Sequence, residues 1–179
     1  MSCDAAAPPV PPLSPLPDAS LARRLAALSY ESMILAAWML VAGFVTLPLV
    51  PPAPPGGALS IPDAPARALS LAVVFGAGAI YCVAFWSGGR RTLPMKTWRI
   101  ALVRIGGGRV DRRVAFTRYV LAWAGPVLAL CAYLALRPFG AGALALPLVA
   151  LNFLWALADP ERQFLHDRMA RTRLVSTAD

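Results

Sequence analysis

Arg24 and Glu31, in ARRLAALSYESMILAAW, stand seven residues apart, two turns of a helix, so a guanidinium and a carboxylate project from nearly one face. Arg24 can reach the headgroups of a membrane along its flexible stem. Glu31 sits about 10 Å further along the axis and is too short to follow. An ionised carboxylate at that depth costs about 3 kcal/mol on insertion scales, so it must face other helices, pair with a cation or take a proton. The chemistry open to it is cation or proton binding, with Ser29, Tyr30 and Ser32 as neighbouring oxygens and Asn152 as a second polar group inside a later apolar stretch. Two plainer readings stand beside this one: a Glu31 close enough to the interface to be wet, and an Asn152 that makes an interhelical hydrogen bond.

A second group of charges follows residue 158. In ADPERQFLHDRMARTRLV, Asp159, Glu161 and Asp167 interleave with Arg162, Arg168, Arg171 and Arg173, and His166, the single histidine of the chain, adjoins Asp167. Nucleophilic catalysis needs a nucleophile held against that histidine, and no Gly-x-Ser-x-Gly elbow or comparable arrangement is present, so an enzyme is not expected. Asp167 is expected to clamp Arg112, Arg113, Arg118 or Arg24. Arg24, Glu31, Asp167, Arg118 and Arg168 are therefore read as a structural charge network. Cys3, Cys82 and Cys131 are odd in number and widely spaced, which points to neither a disulfide framework nor a zinc site. No metal or cofactor is expected.

The elements that position these groups are membrane spans. Of 179 residues, 58% are apolar and 15% charged, and the mean hydropathy is +0.61 with a net charge of +8. Strong hydrophobicity combined with strong basicity disfavours an ordinary soluble enzyme or an acidic disordered tail. Residues 32 to 62, 68 to 89, 119 to 136 and 138 to 158 contain no Asp, Glu, Lys or Arg. Each interval approaches or exceeds the roughly 20 residues a helix needs to cross about 30 Å of hydrocarbon. The spacing predicts helices near 22 to 48, 67 to 87, 114 to 136 and 141 to 159, with Ser20 capping the first. The fold expected is all-α, an integral membrane four-helix bundle over residues 20 to 175. Residues 1 to 19 form a Pro-rich extended tail rather than a signal peptide, and 176 to 179 a short terminal tail. The Pro-rich stretch from Pro48 to Pro65 reads as the exposed linker between the first two spans.

With both termini cytoplasmic, 15 basic residues fall inside and only Arg67 and Arg137 outside, so the positive-inside rule favours that orientation. Nine of the fifteen lie between Arg90 and Arg118, where Thr97 to Ile105 suits a strand, Gly106 to Gly108 a tight turn, and Arg109 to Val110 a return strand. A short cytoplasmic hairpin-like element between the second and third helices is expected. Flanking helices pin this loop against anionic lipid headgroups, each basic residue gaining about 1 kcal/mol, so the partner is the lipid bilayer and not nucleic acid. Ala72, Gly76 and Ala79 offer a small-residue face for a neighbouring helix or a second copy of the chain. Pro126 and Pro147 interrupt the third and fourth spans, and each frees a carbonyl four residues earlier.

ARRLAALSYE, FWSGGRRTLPMKTWRIALVR, FTRYVLAW and NFLWALADPERQFLHDRMARTRLV, in that order and covering about residues 20 to 175, resemble the RDD family of bacterial membrane proteins. The resemblance makes Arg24 the family arginine and Asp167 the second aspartate, and places Glu31 where the first aspartate is expected. Glu for Asp keeps the carboxylate and lengthens its reach. Pro94 replaces the glycine that the family favours in its T-L-G-M-K segment. The resemblance implies a bacterial inner-membrane location and transport of an unidentified ligand, with coupled cation and proton exchange as one form. Two functions follow: a small cation or proton transporter using Glu31, or a non-transporting scaffold or accessory subunit in which the same charges only lock the bundle.

Overall fold

The computed structural model describes residues 16–49 and 63–177. The expectations for residues 1 to 15, most of the Pro-rich linker and residues 178 to 179 lie outside them, as does Cys3. The chain is mostly helical. The first helix, α1 (Leu21–Phe44), starts at Ser20, whose hydroxyl accepts the Arg23 N–H at 3.5 Å, as the sequence predicts. The second, α2 (Ala64–Trp86), starts at Asp63, which accepts the Ala66 N–H at 2.9 Å, with Pro65 in its first turn where a missing donor costs nothing. Thr92 caps the short α3 (Leu93–Thr97), and strand β1 (Ile100–Arg104) follows it.

Asp111 caps α4 (Arg112–Ala122) through the Val114 N–H at 2.8 Å; α5 (Ala124–Leu136) continues its direction after a break at Trp123. Pro126 sits in the first turn of α5 and accounts for that break, since it cannot donate to the carbonyl of Ala122. A nine-residue 3-10 stretch, Gly142–Ala150, holds Pro147 and leads into α6 (Leu151–Ala158). The chain ends in α7 (Leu165–Met169) and strand β2 (Thr172–Ser176).

Three helical runs are long and apolar enough to cross a membrane: Leu21–Phe44, Ala64–Trp86 and Arg112–Phe139, while Gly142–Ala158 is a shorter apolar helix. Their outward faces carry large apolar side chains: Met33 is 71% exposed, Ile80 69% and Leu157 76%. In water such a surface is costly, whereas hydrocarbon accepts it. Helix α2 meets its neighbours at Ala77, facing α1, and at Gly78, facing α4, rather than at Gly76, where an added Cβ would meet nothing within 4 Å. Trp38 Nε1 of α1 donates to the Ala77 carbonyl at 2.9 Å, and a Cβ on Gly78 would stand 2.6 Å from Tyr119 Oη of α4.

The loop between α2 and α4 departs from the expected hairpin. Arg104 N does bond back to the Gly108 carbonyl at 3.3 Å, closing the glycine turn, but β1 takes its strand partner from the far end of the chain. It pairs antiparallel with β2, from Ile100 opposite Ser176 to Arg104 opposite Thr172. The reason is burial: Ile100, Leu102, Leu174 and Val175 are all buried in the sheet, whereas a return strand at Arg109 and Val110 offers only Val110, whose carbonyl is taken by the Gly88 N–H at 2.8 Å. Residues Pro17 to Ala19 add to the outer edge of β2 through Ala19 N to Leu174 O and Ser176 N to Pro17 O. Together α3, β1, β2 and α7 cover the bundle at the end where α1 begins and α2 stops, and the main buried apolar cluster lies in that junction, among Cys82, Trp86, Met95, Ile100, Ala115 and Tyr119.

Candidate functional site

Only three residues of α1 are buried: Arg24, Ala27 and Glu31, one stripe of the helix. The two ionisable groups thus share a face as their spacing predicts, and both face protein. The Glu31 carboxyl accepts a hydrogen bond from Thr92 Oγ1 at 2.7 Å on Oε2, while its Oε1 is buried without a hydrogen-bond partner among the described residues. Thr92 is the residue that sequence reasoning missed. Its hydroxyl also accepts the Met95 N–H that starts α3, so a helix cap orients the donor that holds Glu31. Ser29 instead returns its hydroxyl to the Leu25 carbonyl at 3.0 Å.

Asp167 is fully buried and pairs with Arg118 of α4, Nε to Oδ1 at 2.6 Å. Of the arginines proposed for this clamp, the structure brings Arg118 to it. The Arg118 guanidinium lies over the Trp86 ring, 4.2 Å from its centroid. His166 Nε2 stands 3.6 Å from the same Asp167 oxygen, and its ring stacks on Phe164 at 5.8 Å. Burial pushes His166 down to about 4, so it is neutral at physiological pH. Burial alone would raise Asp167, but the Arg118 charge, with His166 and Arg24 adding to it, outweighs that and holds its carboxyl below the usual range.

Arg24 donates from Nη1 to the Arg162 carbonyl at 3.0 Å and approaches Asp18 at 3.8 Å. Arg168 belongs to a separate cluster, with Glu161 at 2.7 Å and Asp159 at 3.5 Å. The expected five-residue network is therefore divided: Arg118 and Asp167 in direct contact, Arg24 and Glu31 nearby, and Arg168 on its own acidic pair. Asp159 additionally caps the turn after α6, accepting the Glu161 and Gln163 N–H groups at 3.1 and 2.9 Å.

Asn152 does not join Glu31. Its Nδ2 donates to the carbonyls of Ala122 at 2.7 Å and Leu121 at 3.3 Å, the former being the acceptor that Pro126 leaves free. An interhelical hydrogen bond is what the structure shows for this residue. Replacing Asn152 by leucine is expected to lower stability by about 1–2 kcal/mol, since the Ala122 carbonyl that Pro126 leaves free loses its donor. A reversible unfolding titration in detergent measures it; an unchanged midpoint contradicts the assignment.

Arg24, Glu31, Arg118 and His166 line one cavity of about 280 Å³. The remaining wall is largely apolar and aromatic, with Trp86, Tyr119, Trp123 and Phe153 among its residues. Phe164, Ile100 and Leu174 close the cavity where α3, α7 and the sheet cover the helices, and Leu35, Ala122, Pro126 and Val149 extend it along the apolar helices. Among the described residues no three His, Cys, Asp or Glu come close enough to hold a metal ion.

The family model described as the RDD family matches residues 18–171, most of the chain. No curated protein and no solved structure matches it.

Proposed function

Since the chain belongs to the RDD family, we propose that it is a proton-coupled transporter of the bacterial inner membrane in which Glu31 takes up and releases the proton. Family membership and the long apolar helices suggest a multi-pass membrane protein. The proposal adds a fourth span, Gly142–Ala158. Nine 3-10 residues rising about 2.0 Å each and eight α residues rising about 1.5 Å reach about 30 Å, enough for the hydrocarbon core. The distribution of Lys and Arg supports a cytoplasmic position for both termini. Lys96, Arg99, Arg104, Arg109, Arg112 and Arg113 are exposed on the covered end of the bundle, where anionic headgroups would meet them.

The observation that carries the proposal is the Glu31 carboxyl: on the wall of the cavity, bonded through one oxygen to Thr92 and buried without a partner on the other. A buried carboxyl held by the Thr92 hydroxyl, with the Tyr81 hydroxyl of α2 beside it, is suited to exchange a proton. A bare inorganic cation fits less well, because such ions collect several oxygens and this wall is largely apolar. In liposomes carrying a pH dye, Glu31→Gln is expected to lose the flux shown by the unaltered protein. Equal fluxes would remove the idea.

Four spans are few for a whole pathway, so a homo-oligomer belongs to the proposal, and a monomeric mass in native-like detergent counts against that part. The second reading, a non-transporting scaffold, is favoured by the Arg118–Asp167 pair, which ties α7 to α4 rather than facing a pathway. It requires that Glu31→Gln leave every flux unchanged while Asp167→Asn removes folded protein.

A further inference from the structure

We propose that the 280 Å³ cavity binds an anionic amphiphile, a single negative head attached to an apolar chain, roughly ten to twelve non-hydrogen atoms in all. The size follows from comparison with engineered apolar cavities, in which about 150 Å³ holds one benzene. This inference deepens the reading of Glu31 as a proton carrier by naming the class of molecule that moves with the proton.

The cavity is polarised along its length. At the covered end stand the guanidinium groups of Arg24 and Arg118 with His166; toward the spans the wall becomes Leu35, Ala122, Pro126 and Val149. Arg118 has committed its Nε to Asp167, and no other hydrogen bond is made by its guanidinium among the described residues. Counting the charges that surround this end, Arg24, Arg118 and Arg173 face Asp167 and Asp18, the latter shared at 3.8 Å by Arg24 and Arg173. One positive charge is left over when Glu31 carries a proton, and none when it does not. An anion therefore enters with a proton. Besides Arg118 of α4, the titratable groups around Glu31 are Tyr81 and Cys82 of α2, with Arg24 on its own helix.

The entrance agrees with an amphiphile. Ser32 of α1 and Val149 of the 3-10 stretch line the cavity and are both exposed residues, so a molecule dissolved in lipid would reach the site from the flank between them. The chain then lies among apolar side chains while its head meets the two guanidinium groups, which form charge-assisted hydrogen bonds with carboxylate, sulfonate or phosphate oxygens.

The test uses the full chain in nanodiscs, with 1-octanesulfonate as a permanently ionised probe and octyltrimethylammonium as its cationic counterpart, each of about twelve non-hydrogen atoms. Octanesulfonate is expected to bind, at least tenfold more tightly than the cation, with affinity rising as the pH falls. Glu31→Gln is expected to bind it with no such pH dependence. Ala122→Leu fills the apolar end and touches none of the charges; it is expected to weaken binding at least tenfold with the melting temperature preserved, and Arg24→Gln to weaken it similarly. Equal or tighter binding of the cation, or an Ala122→Leu protein that binds as well as the parent, overturns the site. Discs of phosphatidylcholine alone and discs containing phosphatidylglycerol separate the sources of the anion: lost affinity in the second assigns the site to a lipid headgroup, unchanged affinity to a free anion, and both retain the site. If Glu31→Gln abolishes proton flux while the parent fails to bind octanesulfonate, the anion falls and the proton carrier stands. If octanesulfonate binds while both proteins carry equal flux, the proton carrier falls instead.

Discussion

Asp167→Asn is expected to cost about 3–5 kcal/mol of unfolding free energy, the range for removing one partner of a buried ion pair. Asp167 is fully buried, Arg118 is 5% exposed, and Nε meets Oδ1 at 2.6 Å, so the substitution leaves a guanidinium in a dry setting with no counter-charge in contact. The Trp86 ring under Arg118 offsets only a small part of that. Since the Asp167 carboxyl is held below its usual range, its contribution is fully present above the unfolded value near 4 and is lost as the pH falls through the folded value. The variant should therefore lose at neutral pH what the parent loses only in strong acid. The double variant Arg118→Met with Asp167→Leu is expected to regain much of the loss, because neither charge is then buried alone. Reversible unfolding in mixed detergent, run on Arg118→Met, Asp167→Leu and the double beside Asp167→Asn, measures the coupling. A loss below about 1 kcal/mol for Asp167→Asn would show that water reaches the pair.

What the sequence disclosed about this site depended on whether the signal was local. Arg24 and Glu31 share a face because helical geometry leaves little choice over seven residues, and the Ser20 cap lies three residues from the N–H it accepts. Pro126 announced a free carbonyl by its covalent structure alone, and Asn152 was found to answer it. Thr92 gave no such notice. Its cap of α3 emerged only in the structure, and nothing within reach along the chain says that the same hydroxyl meets a carboxyl 61 residues earlier. The strand partner of β1 was hidden for a similar reason: Arg109–Val110 is near and TRLVS is 68 or more residues away, yet only the distant segment supplies the apolar side chains that the buried face requires. Position 167 was legible as a clamp, while the choice of Arg118 over Arg112 and Arg113 came from the α4 face, which turns Ala115, Arg118 and Tyr119 inward.

Acidification supplies the second large effect. His166 is buried, its Nδ1 has no partner among the described residues, and burial lowers it from 6.5 to about 4. Between those values the unfolded chain binds a proton on this residue and the folded chain does not. Stability is therefore complete above about pH 6.5 and falls as the pH drops towards 4, by about 3 kcal/mol in total from the histidine. The sign is opposite to that of a histidine gaining an anionic partner. Asp167 stands at 3.6 Å and pulls upward, but desolvation and the Arg118 charge prevail. His166→Phe keeps the contacts with Phe164 and Phe153 and removes the titration. It is expected to flatten the stability profile between pH 6.5 and 4, and to leave the loss tied to Asp167 at lower pH in place. Unfolding midpoints taken at half-unit steps for both proteins give the comparison. Parallel slopes would mean that the imidazole is charged inside the fold, and its stacking on Phe164 would then be cationic rather than neutral.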